Sequence, residues 1–176
     1  MVRGQNCPTR GFTVLELSIV FAIIAILTVL VIGGMGMMRS RARRAACMLN
    51  LKSLYTGTEL YLQQNSQWPQ VSADVSSEAG AQQFAIGWIA ALQPFGITQK
   101  TWICPEIQDG IGNPDMTQPD NARLDYLPMP FDNKPTTPHQ WPGQPWFIER
   151  GNAHGKGNLI IFTDGHIAAA DELGQQ

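Results

Sequence analysis

The sequence predicts an α+β protein in which a long N-terminal hydrophobic helix packs, by its second half, against a small antiparallel β-sheet head. Three observations carry this. An apolar run rich in Ile, Val, Leu and Ala extends from Phe12 to Met38, holds one carboxylate, Glu16, and closes on Arg39, Arg41, Arg43 and Arg44. Beyond it, Leu51, Leu54, Tyr55, Thr58, Tyr61 and Leu62 recur at spacings of three and four, which places them on one face of a helix. Near the C-terminus, Asn158 to Phe162 reads as a strand, Asp164-Gly165 as a hairpin turn, and His166 to Ala170 as the returning strand, giving a β-hairpin over 158–170.

The first element is long enough to cross a bilayer. Its 27 residues correspond to about 40 Å of helix at about 1.5 Å per residue, against a hydrocarbon core of about 30 Å. A cleaved secretory signal has a shorter core and a small-residue cleavage site, which Gly33-Gly34-Met35 does not supply. A lipid anchor on Cys7 is excluded by the polar Arg3-Gly4-Gln5-Asn6 before it. An ionisable group inside such a span costs roughly 2.5–3.5 kcal/mol, so Glu16 is a functional candidate that needs a partner.

Residues 39–65 continue the helix in amphipathic form until Asn65-Ser66 and Trp68-Pro69 end it. Gly33, Gly34 and Gly36, at about 1 kcal/mol each relative to alanine, are expected to interrupt or soften it. Residues 66–176 form the head. Within it Gly80 to Leu92 reads as a short helix with Phe84, Trp88, Ile89 and Leu92 on one side, and Trp102 to Pro105 as a short buried strand or turn. Glu106 to Pro145 holds eight prolines and reads as an extended, turn-rich segment pinned by Tyr126, Phe131 and Trp141.

Charge divides the chain. From Ala45 onward six basic residues face thirteen acidic ones, a net of −7. An acidic head above a basic neck argues against nucleic acid as a partner, which would require a basic face. The arginines 39–44 suit lipid headgroups or inter-subunit contacts instead.

The stretch Arg10-Gly11-Phe12-Thr13-Val14-Leu15-Glu16-Leu17 resembles the prepilin N-terminus shared by type IV pilins and the pseudopilins of type II secretion systems. The resemblance implies a pilin-like fold and a leader, 1–11, removed by a prepilin peptidase that cuts between Gly11 and Phe12 and methylates the new Phe12 amine. It implies that 12–38 is the transmembrane and assembly helix, and that Glu16 neutralises the Phe12 amine of a neighbouring subunit as the filament forms. The implied location is the bacterial inner membrane, single-pass, with the leader cytoplasmic and the head periplasmic or extracellular. The implied partners are the lipid bilayer, the peptidase, an inner-membrane assembly platform and other pilin or pseudopilin subunits. The positive-inside rule points the other way, with Arg3 and Arg10 before the span and four arginines after it; the motif requires the cytoplasmic leader. A second motif, His154 followed after nine residues by Asp164-Gly165, resembles the H-x9-D-G segment that accompanies prepilin-type N-termini.

Other candidate residues are fewer. Once Cys7 leaves with the leader, Cys47 and Cys104 form a possible disulfide, provided their Cα atoms come within roughly 4.4–6.8 Å. Asp164 and Gly165 fit a turn and His154 a hydrogen bond across the sheet, with an ion-binding or proton-transfer pair as the alternative. Asp109, Asn113 and Asp115 offer oxygens for Ca²⁺ but miss the EF-hand spacing, and a solvated acidic loop is the plainer reading. No phosphate loop, zinc spacing or catalytic-triad context appears, so no cofactor is expected. The chain is expected to be a structural subunit, not an enzyme. The competing reading is a membrane-anchored binding or enzymatic domain that uses His154 and Asp164.

Overall fold

The computed structural model describes residues 12–112, 121–155 and 157–174, without the side chains of 31–35. The predicted leader 1–11, with Gly11, lies outside the described residues, as do Asn113 and Asp115. The chain divides into two compact units at Arg39/Ser40.

The first unit is helical. Helix α1 spans Val14–Asn65 and so continues into the second unit. It passes through Gly33, Gly34 and Gly36 without a break in helical backbone, so of the interruption or softening expected there the interruption does not occur. The helix supplies its own backbone hydrogen bonds there, and three glycines at about 1 kcal/mol each do not break it. The apolar side chains of this unit are exposed on every face: Leu17, Ile19, Val20, Phe21, Ile23, Ile24, Ile26 and Leu27 all stand at least half exposed or nearly so. Among the described residues no helix is long and apolar enough to cross a membrane. Within the expected span of 12–38 the described apolar side chains of α1 run from Val14 to Leu30 and resume at Met37 and Met38, which are also exposed.

The second unit is α+β. Four strands, β1 (Tyr126–Pro128), β2 (Pro145–Glu149), β3 (Leu159–Phe162) and β4 (Ile167–Ala169), form one antiparallel meander in sequence order. The 158–170 hairpin is the β3–β4 half of this sheet, and Ala170 already belongs to a short helix, α4 (Ala170–Leu173). The second part of α1 buries Cys47, Leu51, Leu54, Thr58 and Leu62 in a common core with Trp146, Phe147, Leu159, Ile161 and Ala169 of the sheet. Gly57 makes one contact possible: a Cβ there would lie 2.4 Å from Ile97 Cγ1. Helix α2 (Glu78–Leu92) adds Ala85, Trp88 and Leu92. It starts two residues earlier than expected because the Ser77 side chain accepts a hydrogen bond from Gly80 N and caps it.

The centre of the head is aromatic. Trp68 packs edge-on against Trp88, Phe131 and Trp146 at centroid distances of 5.7, 4.7 and 5.1 Å, the edge-to-face geometry that ring quadrupoles favour. Two expectations are corrected. Trp102–Pro105 is no strand: Trp102 closes a 3₁₀ turn (Gln99–Trp102) and Pro105 opens helix α3 (Pro105–Ile111), because proline at a first helical position loses no hydrogen bond. The proline-rich segment is held by Tyr126, Phe131 and Pro138, not by Trp141, which is 62% exposed. Pro138 supplies the tie through its carbonyl, which accepts the buried Trp146 Nε1–H at 2.8 Å.

Candidate functional site

The start of α1 is a reciprocal cap. Glu16 Oε2 accepts from Thr13 N at 2.9 Å and from Thr13 Oγ1 at 2.8 Å, while Glu16 N donates back to Thr13 Oγ1 at 3.2 Å. This is the capping-box geometry, in which the side chain three residues in satisfies a backbone donor that the helix leaves open. Glu16 therefore has a local partner. Phe12, just before the cap, is 85% exposed.

The basic neck is engaged by the head's own acids. Arg43 pairs with Asp109 and lies 3.5 Å from Glu106, and Arg44 lies 3.8 Å from Glu172. All are part-exposed, so each contributes little to stability. Asp109, the described member of the calcium candidates, thus sits in α3 against a guanidinium, not in an open acidic loop.

The two ends of the H-x9-D-G segment go to different places. Asp164 and Gly165 make the β3–β4 turn: Asp164 Oδ1 accepts from His166 N at 2.9 Å, and Gly165 takes φ 77°, a left-handed conformation favourable to glycine. The His166 hydrogen bonds hold the Asp164 carboxyl below its ordinary value. Helix α1 grips this turn, with Lys52 Nζ donating to Gly165 O at 2.5 Å and Tyr55 Oη to Thr163 O at 2.9 Å. Burial, first of several causes, pushes the Tyr55 phenol up to about 12.

His154 lies before the other end of β3. Its side chain is 1% exposed, and Nε2 sits 3.1 Å from Glu149 Oε1 and 3.8 Å from Cys104 Sγ. Glu149, fully buried on β2, also accepts from Leu159 N at 3.3 Å. Burial raises its proton affinity, while the neighbouring imidazole works in the opposite sense. Cys104 is joined to Cys47 of α1, with Cα atoms 5.4 Å apart. Cys104 N donates to the buried Asp125 carboxylate at 2.9 Å, and Arg123 Nε pairs with Asp125 at 2.9 Å. Glu149 and Asp125 were not singled out in the sequence. A carboxylate at the end of Trp146-Phe147-Ile148-Glu149 is the available signal, since alternation puts it on the same side as Phe147.

A separate cleft of about 1050 Å³ lies between Trp68 to Val71, α2 and Leu127 to Phe131, with Arg123 and Arg150 in its lining.

The architecture, an N-terminal helical region and a four-stranded antiparallel sheet, is α+β and consistent with a pilin-like fold. Over 75 residues the chain is 33% identical to the type IV major pilin protein PilA of Myxococcus xanthus (strain DK1622), a stretch covering 43% of this chain and 32% of that protein. The chain thus matches about a third of that relative's length. No protein-family model and no solved structure matches the chain.

Proposed function

We propose that this chain is a structural, non-enzymatic pilin-like subunit that assembles through α1 into a type IV pilus-like filament or a type II secretion pseudopilus. The observation that carries the reading is the first part of α1, whose large apolar side chains from Val14 to Leu30 stand exposed around the helix. A helix apolar on all faces needs a surrounding that is not water, either lipid or neighbouring helices. The likeness to a type IV major pilin supports the choice of neighbouring helices in a filament, with inner-membrane lipid as the earlier environment.

In this reading the peptidase cuts between Gly11 and Phe12, and the new Phe12 amine meets the Glu16 carboxylate of a neighbouring subunit. The capping box holds that carboxylate at the helix start before assembly, so the carboxylate is oriented when the neighbour arrives. The alternative reading needs His154 and Asp164 in one site. They engage Glu149 and His166 respectively, at opposite ends of β3, and among the described residues share no partner.

Intact-mass and peptide mass spectrometry of the membrane-extracted protein tests the proposal. The expected product begins at methylated Phe12. A chain that retains Met1 in cells with an active prepilin peptidase would overturn it.

A further inference from the structure

The buried group around Cys104 has a chemistry that filament assembly does not use. The sulfurs of Cys47 and Cys104, one imidazole nitrogen of His154 and one carboxylate oxygen of Glu149 all lie within 4.8 Å of one another. In a tetrahedral zinc site, Zn–S of about 2.3 Å and Zn–N of about 2.0–2.1 Å put ligand atoms roughly 3.3–3.8 Å apart. The His154 Nε2 distances of 3.8 Å to Cys104 Sγ and 3.1 Å to Glu149 Oε1 are close to that spacing already.

The surroundings are those of a built site. Both cysteines and Glu149 are fully buried. Glu149 is oriented by Leu159 N, and Cys104 by the Asp125–Arg123 pair behind its backbone, an arrangement of outer partners that fixes ligand geometry. His154 turns Nε2 toward the cluster, and among the described residues its buried Nδ1 has no hydrogen-bond partner. Two thiolates, one imidazole and one carboxylate form a donor set that selects Zn²⁺ over the hard cations Ca²⁺ and Mg²⁺.

We propose that this pocket is a redox-gated zinc site, closed as the Cys47–Cys104 disulfide and opened by reduction. A dithiol reductant gives two electrons and two protons to the disulfide, is itself oxidised to a disulfide, and leaves two cysteine thiols. Zn²⁺ then displaces one proton from each thiol and is held by the two thiolates, His154 Nε2 and a Glu149 oxygen. The disulfide fastens α1 to the loop before α3, and the zinc state adds the segment between β2 and β3 through His154.

The test uses the full chain in detergent, under anaerobic conditions, with and without a phosphine reductant and after chelation. Zn²⁺ is titrated against a chromophoric chelator, and Co²⁺ is substituted to read thiolate-to-metal charge transfer. The expected result is one Zn²⁺ per reduced chain, none per oxidised chain, a thiolate charge-transfer band with Co²⁺, and affinity at least about tenfold weaker in His154→Ala and Glu149→Gln. Absence of zinc binding by the reduced chain, or binding unchanged in both variants, overturns the proposal. If reduction unfolds the head, Zn²⁺ should restore its near-ultraviolet dichroism, since metal binding then supplies folding free energy. Recovery on reoxidation but not on Zn²⁺ addition also overturns it.

Discussion

The two units of this chain use the same apolar residues to opposite ends. In the head Leu51, Leu54, Leu159 and Ile161 are fully buried, whereas Leu15, Ile26, Leu27 and Leu30 of the first unit are more than half exposed. Composition does not distinguish them; the pattern does. The second part of α1 gathers Cys47, Leu51, Leu54 and Leu62 into a stripe that sheet and aromatic residues cover, leaving Leu49 and Leu60 outside it. The first part has no polar face, so its complement has to come from outside its own unit. The head covers its own large apolar side chains, and the first unit leaves its own exposed.

Glu16→Ala is the sharpest way to break that contrast. It should abolish incorporation into sheared filaments, read by immunoblot against the membrane fraction, while the head's thermal unfolding stays unchanged; normal filament yield would remove Glu16 from assembly. Next is Trp68→Ala, which empties the aromatic centre and should cost about 3–5 kcal/mol in a denaturant titration. Leu27→Ala, in the exposed unit, should leave that titration where it was, and an equal loss would mean that the two units share a core.

Replacing Cys47 and Cys104 together by serine opens a cross-link between residues 57 apart, with an expected loss of about 2–4 kcal/mol of head stability in metal-free buffer. A smaller effect appears in alkali. Tyr55 is raised from 10.0 to about 12 in the fold, so between those values the folded state holds the proton that the unfolded state has lost. Stability should therefore be full below pH 10 and fall as pH rises toward about 12, a slope that Tyr55→Phe removes.

Much of this was legible in the sequence because it rests on local pattern. The stripe from Leu51 to Leu62 and the Asp164-Gly165 turn are periodicity and turn chemistry, which a single chain displays. What escaped depends on pairing across distance. The hydroxyl of Ser77 and the ring of Pro105 are local start signals, and both were readable in principle. The four-stranded sheet, by contrast, needs Tyr126–Pro128, three residues long, to find Glu149, and nothing in so short a run announces a strand. The same holds for the cluster at Cys104: Cys47, Cys104, Glu149 and His154 have no metal-binding spacing along the chain, and the fold alone collects them. Thr13-x-x-Glu16 is the reverse case. It is a legible capping box that the oddity of a carboxylate in an apolar run obscured.

The grip of α1 on the β3–β4 turn sets a timetable. Lys52 and Gly165 are 113 residues apart, and Tyr55 and Thr163 are 108. At about 5–20 residues per second, a ribosome needs roughly 6–23 s to deliver the second partner after the first. Throughout that interval the stripe on α1 has no sheet to cover it, although the apolar segment ahead of it is already complete. A newly made chain is thus open to early capture at one end and late closure at the other, and a chaperone that shields Leu51 to Leu62 would act in that gap.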